Sequence, residues 1–403
     1  LKTGKNPSKI ILAYSGGLDT TIAIHWLKNK FNAEVITVTV DVGQEDDFAE
    51  TASRAEKLGV LKHYTIDAKR EFAEGPVASA IMMNALYEGE YPLGTALARP
   101  LIAEKVVDVA KREGADAVAH GATSKGNDQI RFEEAIKALS PELNIIAPAK
   151  IWGMDRASEL EYAARHGIPV PNIHSRFSID DNLWTRSIEG HEIDDAWAEP
   201  PEDAFKWTVN PAKVREGIRL VIEFKEGVPV SINGERMDLA SLISSLNKVV
   251  GMHGFGRVDH VENRVVGFKS REVYEAPAAL TLIRAHRDLE KLVYTPMELR
   301  FKRLVDEEWT DLAYRGLWHE PLRMELEALA KSMNKWVTGS VKLSIQGGLT
   351  ILGRMSPYSG YSKEVADYAT GWYPSNDEAR GFIEMLTLHS LTAHRARWGN
   401  DVS

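Results

Sequence analysis

IILAYSGGLDTT, residues 10–21, sets a continuous apolar run against a glycine pair and a hydroxyl-rich stretch. The run Ile10 to Tyr14 has the character of a strand buried on both faces. Leu18, Ile22, Ile24, Trp26 and Leu27 then recur in a roughly helical pattern, and the β-branched EVITVTV at 34–40 reads as the next strand. Strand, glycine turn, helix, strand is the opening of an α/β unit. Gly16 and Gly17 let the backbone come close to a ligand. Amides at the start of the helix point into the same space with the helix dipole behind them. Ser15, Thr20 and Thr21 add hydroxyls. The expectation is a site for an anion of phosphate or pyrophosphate size. The plainer alternative is a simple turn in which Asp19 or Thr20 caps the helix. The loop is neither GxxxxGK[ST] nor GxGxxG, and AYSGG is not a GxSxG nucleophile elbow.

The alternation continues outward. A helix is expected near 46–58, a strand at 63–66, a helix at 100–113, the strand DAVAH at 116–120, a helix at 129–139 and the strand NIIAP after it. This predicts an α/β fold with a doubly wound, mostly parallel sheet. After about residue 170 the pattern changes. The proline-rich IPVPN and AEPPED interrupt it, and hairpin signals follow, with turns at Gly227 and at Gly347-Gly348. Helical patterns lie at 238–250, 277–292 and 296–314. We therefore expect a nucleotide-binding domain at 1–172, an α+β domain at 173–370 and a C-terminal segment at 371–403. That segment ends in an amphipathic helix, about 376–398, with Phe382, Met385, Leu386 and His389 on one side. It packs either on its own domain or on another subunit.

A net charge of -9 argues against broad binding to a phosphate backbone, so nucleic acid is not the expected partner. The absence of cysteine removes disulfides, thiolate zinc sites and cysteine nucleophiles, and fits a reducing compartment. The short apolar run 10–14 is neither a signal peptide nor a membrane span, which takes ~20 apolar residues. A cytoplasmic protein is expected. The 12 histidines show no ligand spacing: there is no HExxH, and His389 and His394 are off one helix face. No protein metal site is expected.

HGATSKGNDQIRF, residues 120–132, is a second loop at the carboxyl end of a strand, where open α/β sheets bind ligands. Thr123, Ser124, Lys125, Asn127 and Asp128 crowd polar groups there. Asn127 and Arg131 share a helix face and suit a carboxylate or zwitterion. Asp128 suits an ammonium. The alternative is an Asp128–Arg131 pair on a solvated face.

SGGLDTT resembles the pyrophosphate loop of the ATP pyrophosphatase superfamily, which cuts ATP between its α- and β-phosphates and adenylates a substrate oxygen. Without cysteine, the nucleophile that displaces AMP is expected to be a free amine or ammonia from outside. The resemblance narrows with HGAT-x-KGNDQ-x-RF, GTALARP (94–100), VENRVVGFKSREVYE (261–275), HGIPVP (166–171), FSIDDNLW (177–184), GLWH (316–319) and ILGRMSP (351–357). In order and spacing these are similar to the argininosuccinate synthase family. The resemblance implies ligation of citrulline and aspartate through citrullyl-AMP, with release of AMP and pyrophosphate. It implies Mg2+ with the nucleotide, and a homotetramer whose C-terminal helix reaches a neighbouring subunit. For ATP it implies Ala13, Tyr14, Ser15, Gly16, Gly17, Leu18, Asp19, Thr20 and Thr21, with Val40 beside the adenine and Gly121. For citrulline it implies Tyr91, Thr95, Asn127, Arg131, Ser178, Ser187, Glu262 and Tyr274. For aspartate it implies Thr123, Asn127 and Asp128. Asp19 and Asp128 are the expected catalytic carboxylates, with Asp128 or an α-phosphate oxygen taking the proton of the aspartate amine. Three positions depart from family members: Ala96 stands where some have serine, Asp41 opens DVGQ, and Trp184 is not shared by all. An enzyme of the ammonia-dependent NAD synthetase type and a nucleotide sensor are the competing readings.

Overall fold

The computed structural model describes residues 6–123, 126–170, 176–367 and 375–399. The quoted apolar run becomes β1 (Lys9–Ala13), and the alternation adds β2 (Glu34–Asp41), β3 (Lys62–Asp67), β4 (Ala117–Ala119) and β5 (Asn144–Ile146). All pair in parallel, in the order β3-β2-β1-β4-β5. β1 is central, and Ile10, Ile11 and Leu12 are wholly buried, which is why its sequence does not alternate. The winding direction reverses between β1 and β4. That switch point opens a crevice at their carboxyl ends. Both loops singled out in the sequence leave the sheet there, the first at Tyr14 after β1 and the second at His120 after β4.

One helix starts earlier than expected. It spans Gly94–Glu113, with Pro100 inside it. A proline in a helix interior loses one hydrogen bond and costs about 3 kcal/mol. Here Ala96, Leu97, Ala98 and Leu101 are almost completely buried, so packing overrides the local preference. The early start places Arg99 on a rigid element.

The rest is antiparallel. β6 (Ser178–Asp181) and β7 (Arg186–Glu189) form a hairpin, followed by β8 (Ile218–Lys225), β9 (Val228–Ile232) and β10 (Glu235–Arg236). Then come β11 (Arg257–Asn263), β12 (Lys269–Glu275), β13 (Gly339–Ile345) and β14 (Leu349–Met355). They make two sheets, β11-β12-β7-β6 and β10-β9-β8-β13-β14. The helices Leu239–Met252, Pro277–Val293 and Pro296–Tyr314 match the expected ones, while Arg156–His166 and Pro321–Asn334 are additional.

The chain divides into two compact units, Leu1–Tyr358 and Ser359–Ser403. In the first, one hydrophobic core runs from Ile36 of the parallel sheet through Trp184 to Leu220 and Leu282. The boundaries expected after residues 172 and 370 fall in stretches outside the described residues. The second unit holds the helix Asn376–Trp398, opened by a Ser375–Glu378 capping box. Its Phe382, Met385 and Leu386 are exposed. No helix among the described residues is long and apolar enough to cross a membrane.

Candidate active site

The first loop ends in a helix start that no side chain caps. Gly17 occupies the cap position of the helix Leu18–Phe31 without any side-chain cap, so neither Asp19 nor Thr20 fills the role the plainer reading gave them. Ser15 Oγ lies 3.1 Å from Thr20 Oγ1 and accepts from the Gly17 amide at 3.3 Å. Arg54 Nη1 donates to the Gly16 carbonyl at 2.6 Å. Gly16 has φ +77, and a Cβ there would stand 3.0 Å from Thr51 Oγ1. Gly121 in the second loop is equally constrained, since a Cβ would meet Thr20 Cγ2 at 2.7 Å.

The two loops enclose a cavity of about 620 Å³. Ala13, Tyr14, Ser15, Gly17, Leu18, Asp19 and Thr20 line it, and Val40 and Gly121 close its sides. Gly16 and Thr21 do not line it. Thr21 is fully buried, 3.3 Å from Tyr14 Oη, and supports the loop from inside. The Glu159 carboxyl is pushed up to about 8 by burial and then by the charge of Asp19.

A second cavity of about 180 Å³ lies beside it. Of the residues expected for citrulline, Tyr91, Thr95, Asn127, Arg131, Ser187, Glu262 and Tyr274 line it, as do Thr123, Asn127 and Asp128, expected for aspartate. Ser178 faces the larger cavity instead. Ser124 and Lys125 lie outside the described residues. Glu262, which as a charged strand residue reads as solvated, is 3% exposed.

The cavities share a wall made by Ala122, Asp128 and Asp180. Two guanidiniums hold this wall. Arg99 Nε reaches Asp128 Oδ2 at 2.8 Å, and its Nη2 pairs with Asp180. Arg131 Nη1 reaches Asp128 Oδ1 at 2.8 Å and donates to Thr95 Oγ1 at 2.8 Å. The Asp128–Arg131 pair therefore exists, but Arg131 is buried, not on a solvated face. Burial pushes the Asp128 carboxyl up, but Arg99 and then Arg131 more than offset this and hold it at about 2. Arg131 Nε and Nη2 also donate to the Tyr314 carbonyl at 3.3 and 2.9 Å. Four of its five N–H groups are thus committed within the protein, leaving one for a ligand.

The sequence reading missed Arg99, Asp180, Tyr314, Arg264 and Glu272, all of which line one or both cavities. The departures it noted have structural roles. Asp41 accepts from the Gly43 amide at 2.9 Å and pairs with Lys69. Trp184 Nε1 donates to the Pro92 carbonyl at 2.7 Å, anchoring the chain between Tyr91 and Thr95. Ala96 is fully buried.

Residues 9–169 match the family model described as Arginosuccinate synthase N-terminal HUP domain, and residues 177–393 the Arginosuccinate synthase C-terminal domain. Among curated proteins, the argininosuccinate synthase of Pyrobaculum aerophilum is 66% identical over 97% of this chain and 99% of its own. That of Sulfurisphaera tokodaii is 60% identical over 96% and 100%, and that of Pyrococcus furiosus 52% over 97% and 95%. Among solved structures, the NMN synthetase of Francisella tularensis overlaps 42% of this chain and 64% of its own at 17% identity and a TM-score of 0.29, too slight a likeness to build on.

Proposed function

The chain belongs to the argininosuccinate synthase family, and from that premise we propose how its two joined cavities carry out the family's reaction. It is an ATP-dependent ligase of arginine biosynthesis that joins citrulline to aspartate and forms AMP and pyrophosphate. ATP occupies the larger cavity, its adenine against Val40 and Gly121 and its phosphates over Ser15, Gly17 and Thr20. Citrulline occupies the smaller cavity among Tyr91, Thr95, Ser187 and Tyr274. Its carboxylate faces Asn127 and the free N–H of Arg131, its ammonium faces Glu262, and its ureido group lies at the shared wall. The ureido oxygen attacks the α-phosphorus, and pyrophosphate leaves into the first loop. Aspartate enters beside Thr123, Asn127 and Asp128, and its amine attacks the activated ureido carbon as AMP leaves. The protein positions the substrates and stabilises charge; no protein nucleophile takes part. Asp128 holds the aspartate ammonium in place.

The observation that carries this reading is the shared wall, which lets an oxygen in one cavity meet a phosphorus in the other. Magnesium fits as the companion of the nucleotide. Such ions are bound through one or two carboxylates plus phosphates, and Asp19, which lines the larger cavity, supplies one. The exposed apolar side of the helix Asn376–Trp398 supports a homotetramer in which a neighbouring subunit covers it. We place the protein in the cytoplasm and keep the functional division into 1–172, 173–370 and 371–403. The test is citrulline carrying heavy oxygen in its ureido group. The label should appear in AMP, and unlabelled AMP, or ADP as product, would overturn the mechanism.

A further inference from the structure

The smaller cavity holds more carboxylate than its cations balance. Glu262 on β11 and Glu272 on β12 both face Tyr274, whose phenol lies 3.2 Å from Glu262 Oε2 and 2.8 Å from Glu272 Oε2. A phenol carries one hydrogen. It donates to one carboxylate, and the other contact is a hydrogen bond only if that carboxyl brings a proton of its own.

The surrounding groups do not relieve this. Arg264 Nη2 pairs with Glu272 Oε1 and reaches Glu189 Oε2 at 2.9 Å. Its Nε donates to Ser270 and stands 3.8 Å from Glu262 Oε1, beyond hydrogen-bonding distance. Arg131 is committed to Asp128, and His260 faces Glu88 at 3.1 Å. The ring of Tyr91 stacks on that of Tyr274 at 4.3 Å. Three carboxyls, Glu189, Glu262 and Glu272, thus crowd around the Arg264 guanidinium, with the charge of Arg131 acting on Glu262 without a hydrogen bond to it. Burial pushes Glu262 up by more than Arg264 and then Arg131 pull it down. Burial, then Glu262 and Glu189, push Glu272 up to about 8. Carboxyls this close titrate as a unit.

We propose that Glu262 and Glu272 hold one proton between them through Tyr274 in the free enzyme, and that the ammonium of the citrulline zwitterion displaces it on binding. The proposal rests on reading the smaller cavity as the citrulline pocket. An ammonium brings a positive charge and three donors to a place short of both. It takes the role of the proton, which leaves to solvent as Glu262 and Glu272 both become carboxylates. Glu272 is then a positioning residue that sets the charge state of Glu262. An analogue with its α-amine acylated discharges no proton and binds poorly.

The consequence is linkage. While the pair holds its proton, citrulline affinity rises with pH, the Kd falling about tenfold per unit until the pair ionises on its own near pH 8. The experiment is calorimetric titration of citrulline into the full chain. An unreactive α,β-methylene analogue of ATP is present and aspartate is absent, and two buffers of contrasting protonation enthalpy are compared. At pH 6.5 close to one proton should be released per citrulline, and at pH 8.5 about a quarter of one, from a pKa near 8. Glu272→Gln mimics the protonated partner: its carbonyl accepts from Arg264, its amide donates to Tyr274, and the phenol donates to Glu262. This variant should bind citrulline with almost no proton release at either pH. Binding by the native chain without proton release at pH 6.5, or undiminished release by the Gln variant, overturns the proposal alone. Absence of citrulline binding to the native chain overturns the pocket assignment and the proposal with it.

Discussion

If Asp128 and Arg131 act as one ion cluster, their substitutions must be coupled. The sequence suggested separable roles, Arg131 reading citrulline and Asp128 reading aspartate. In the structure the two are joined at 2.8 Å, with Arg131 buried and Arg99 on the other Asp128 oxygen. The perturbations are Asp128→Asn, which turns an amide toward two guanidiniums, and Arg131→Met, which keeps length without charge. The assay is exchange of labelled pyrophosphate into ATP with citrulline and no aspartate, so that only adenylation is read. A hydrogen bond between charged groups contributes about 1.5–3 kcal/mol, so Arg131→Met should slow exchange roughly ten- to hundredfold. Asp128→Asn should also slow exchange, because it frees Arg131 to move. The double variant should be less impaired than the product of the singles, by a coupling of about 1 kcal/mol or more, since contacting charges fall within the ~0.5–3 kcal/mol range of measured interaction energies. Nucleotide binding to each variant, followed separately, guards against unfolding. Additivity within about 0.5 kcal/mol, or normal exchange by Asp128→Asn, would refute the shared-cluster reasoning.

Other outcomes follow from the same geometry. Gly121→Ala forces a methyl to within 2.7 Å of Thr20 Cγ2, and overpacking of this kind costs about 1–3 kcal/mol, so ATP should bind roughly five- to hundredfold more weakly. Adding Thr20→Ser, which removes that methyl and keeps the hydroxyl, should restore binding, and failure of the rescue would show that the clash is not the cause. Asp128 is held at about 2, below its ordinary 3.8, so its contribution to stability is complete above 3.8 and is lost as pH falls from about 4 to 2. Arg99→Met removes its larger charge partner and should raise the pH of acid unfolding; an unshifted midpoint counts against the assignment. Removal of residues 376–403 should lower the mass seen by light scattering by more than the deleted residues, and an unchanged assembly would assign the helix to contacts within one chain.

How much of this was legible depended on distance along the chain. The strand–turn–helix of the first loop was readable because strand, glycines and helix start are contiguous, and the shared face of Asn127 and Arg131 because helical spacing puts residues four apart together. Arg99 was not readable. It meets Asp128 across 29 positions and Asp180 across 81, and Pro100 made its helix seem to begin after it. The sheet β11-β12-β7-β6 was hidden for another reason. β11 alternates cleanly, with Val258, His260 and Glu262 inward, but two of those three are polar: Glu262 lines a cavity and His260 faces Glu88 at 3.1 Å. A rule that equates inward with apolar fails wherever the inside of a sheet is a binding site.

The fate of the aspartate proton shows what the buried charges add. From the sequence, Asp128 and an α-phosphate oxygen were equal candidates to receive it. Two guanidiniums on Asp128 remove that equality. A carboxyl held at about 2 takes a proton from an ammonium only against a gap of several units, and general bases work best with a pKa near the operating pH. Its charge is nonetheless useful. A carboxylate has about four acceptor positions, and Arg99 and Arg131 occupy one on each oxygen, so an incoming ammonium finds acceptors free in a site of fixed geometry. The same pairing that spoils Asp128 as a base suits it to the anchoring role proposed for it. With ATP placed as proposed, the proton passes more readily to the α-phosphate oxygen, which gains negative charge as AMP departs. Asp128→Asn should accordingly raise the aspartate requirement of net ligation without altering the pH dependence of the amine's attack. A changed pH profile in that variant would restore Asp128 as the base.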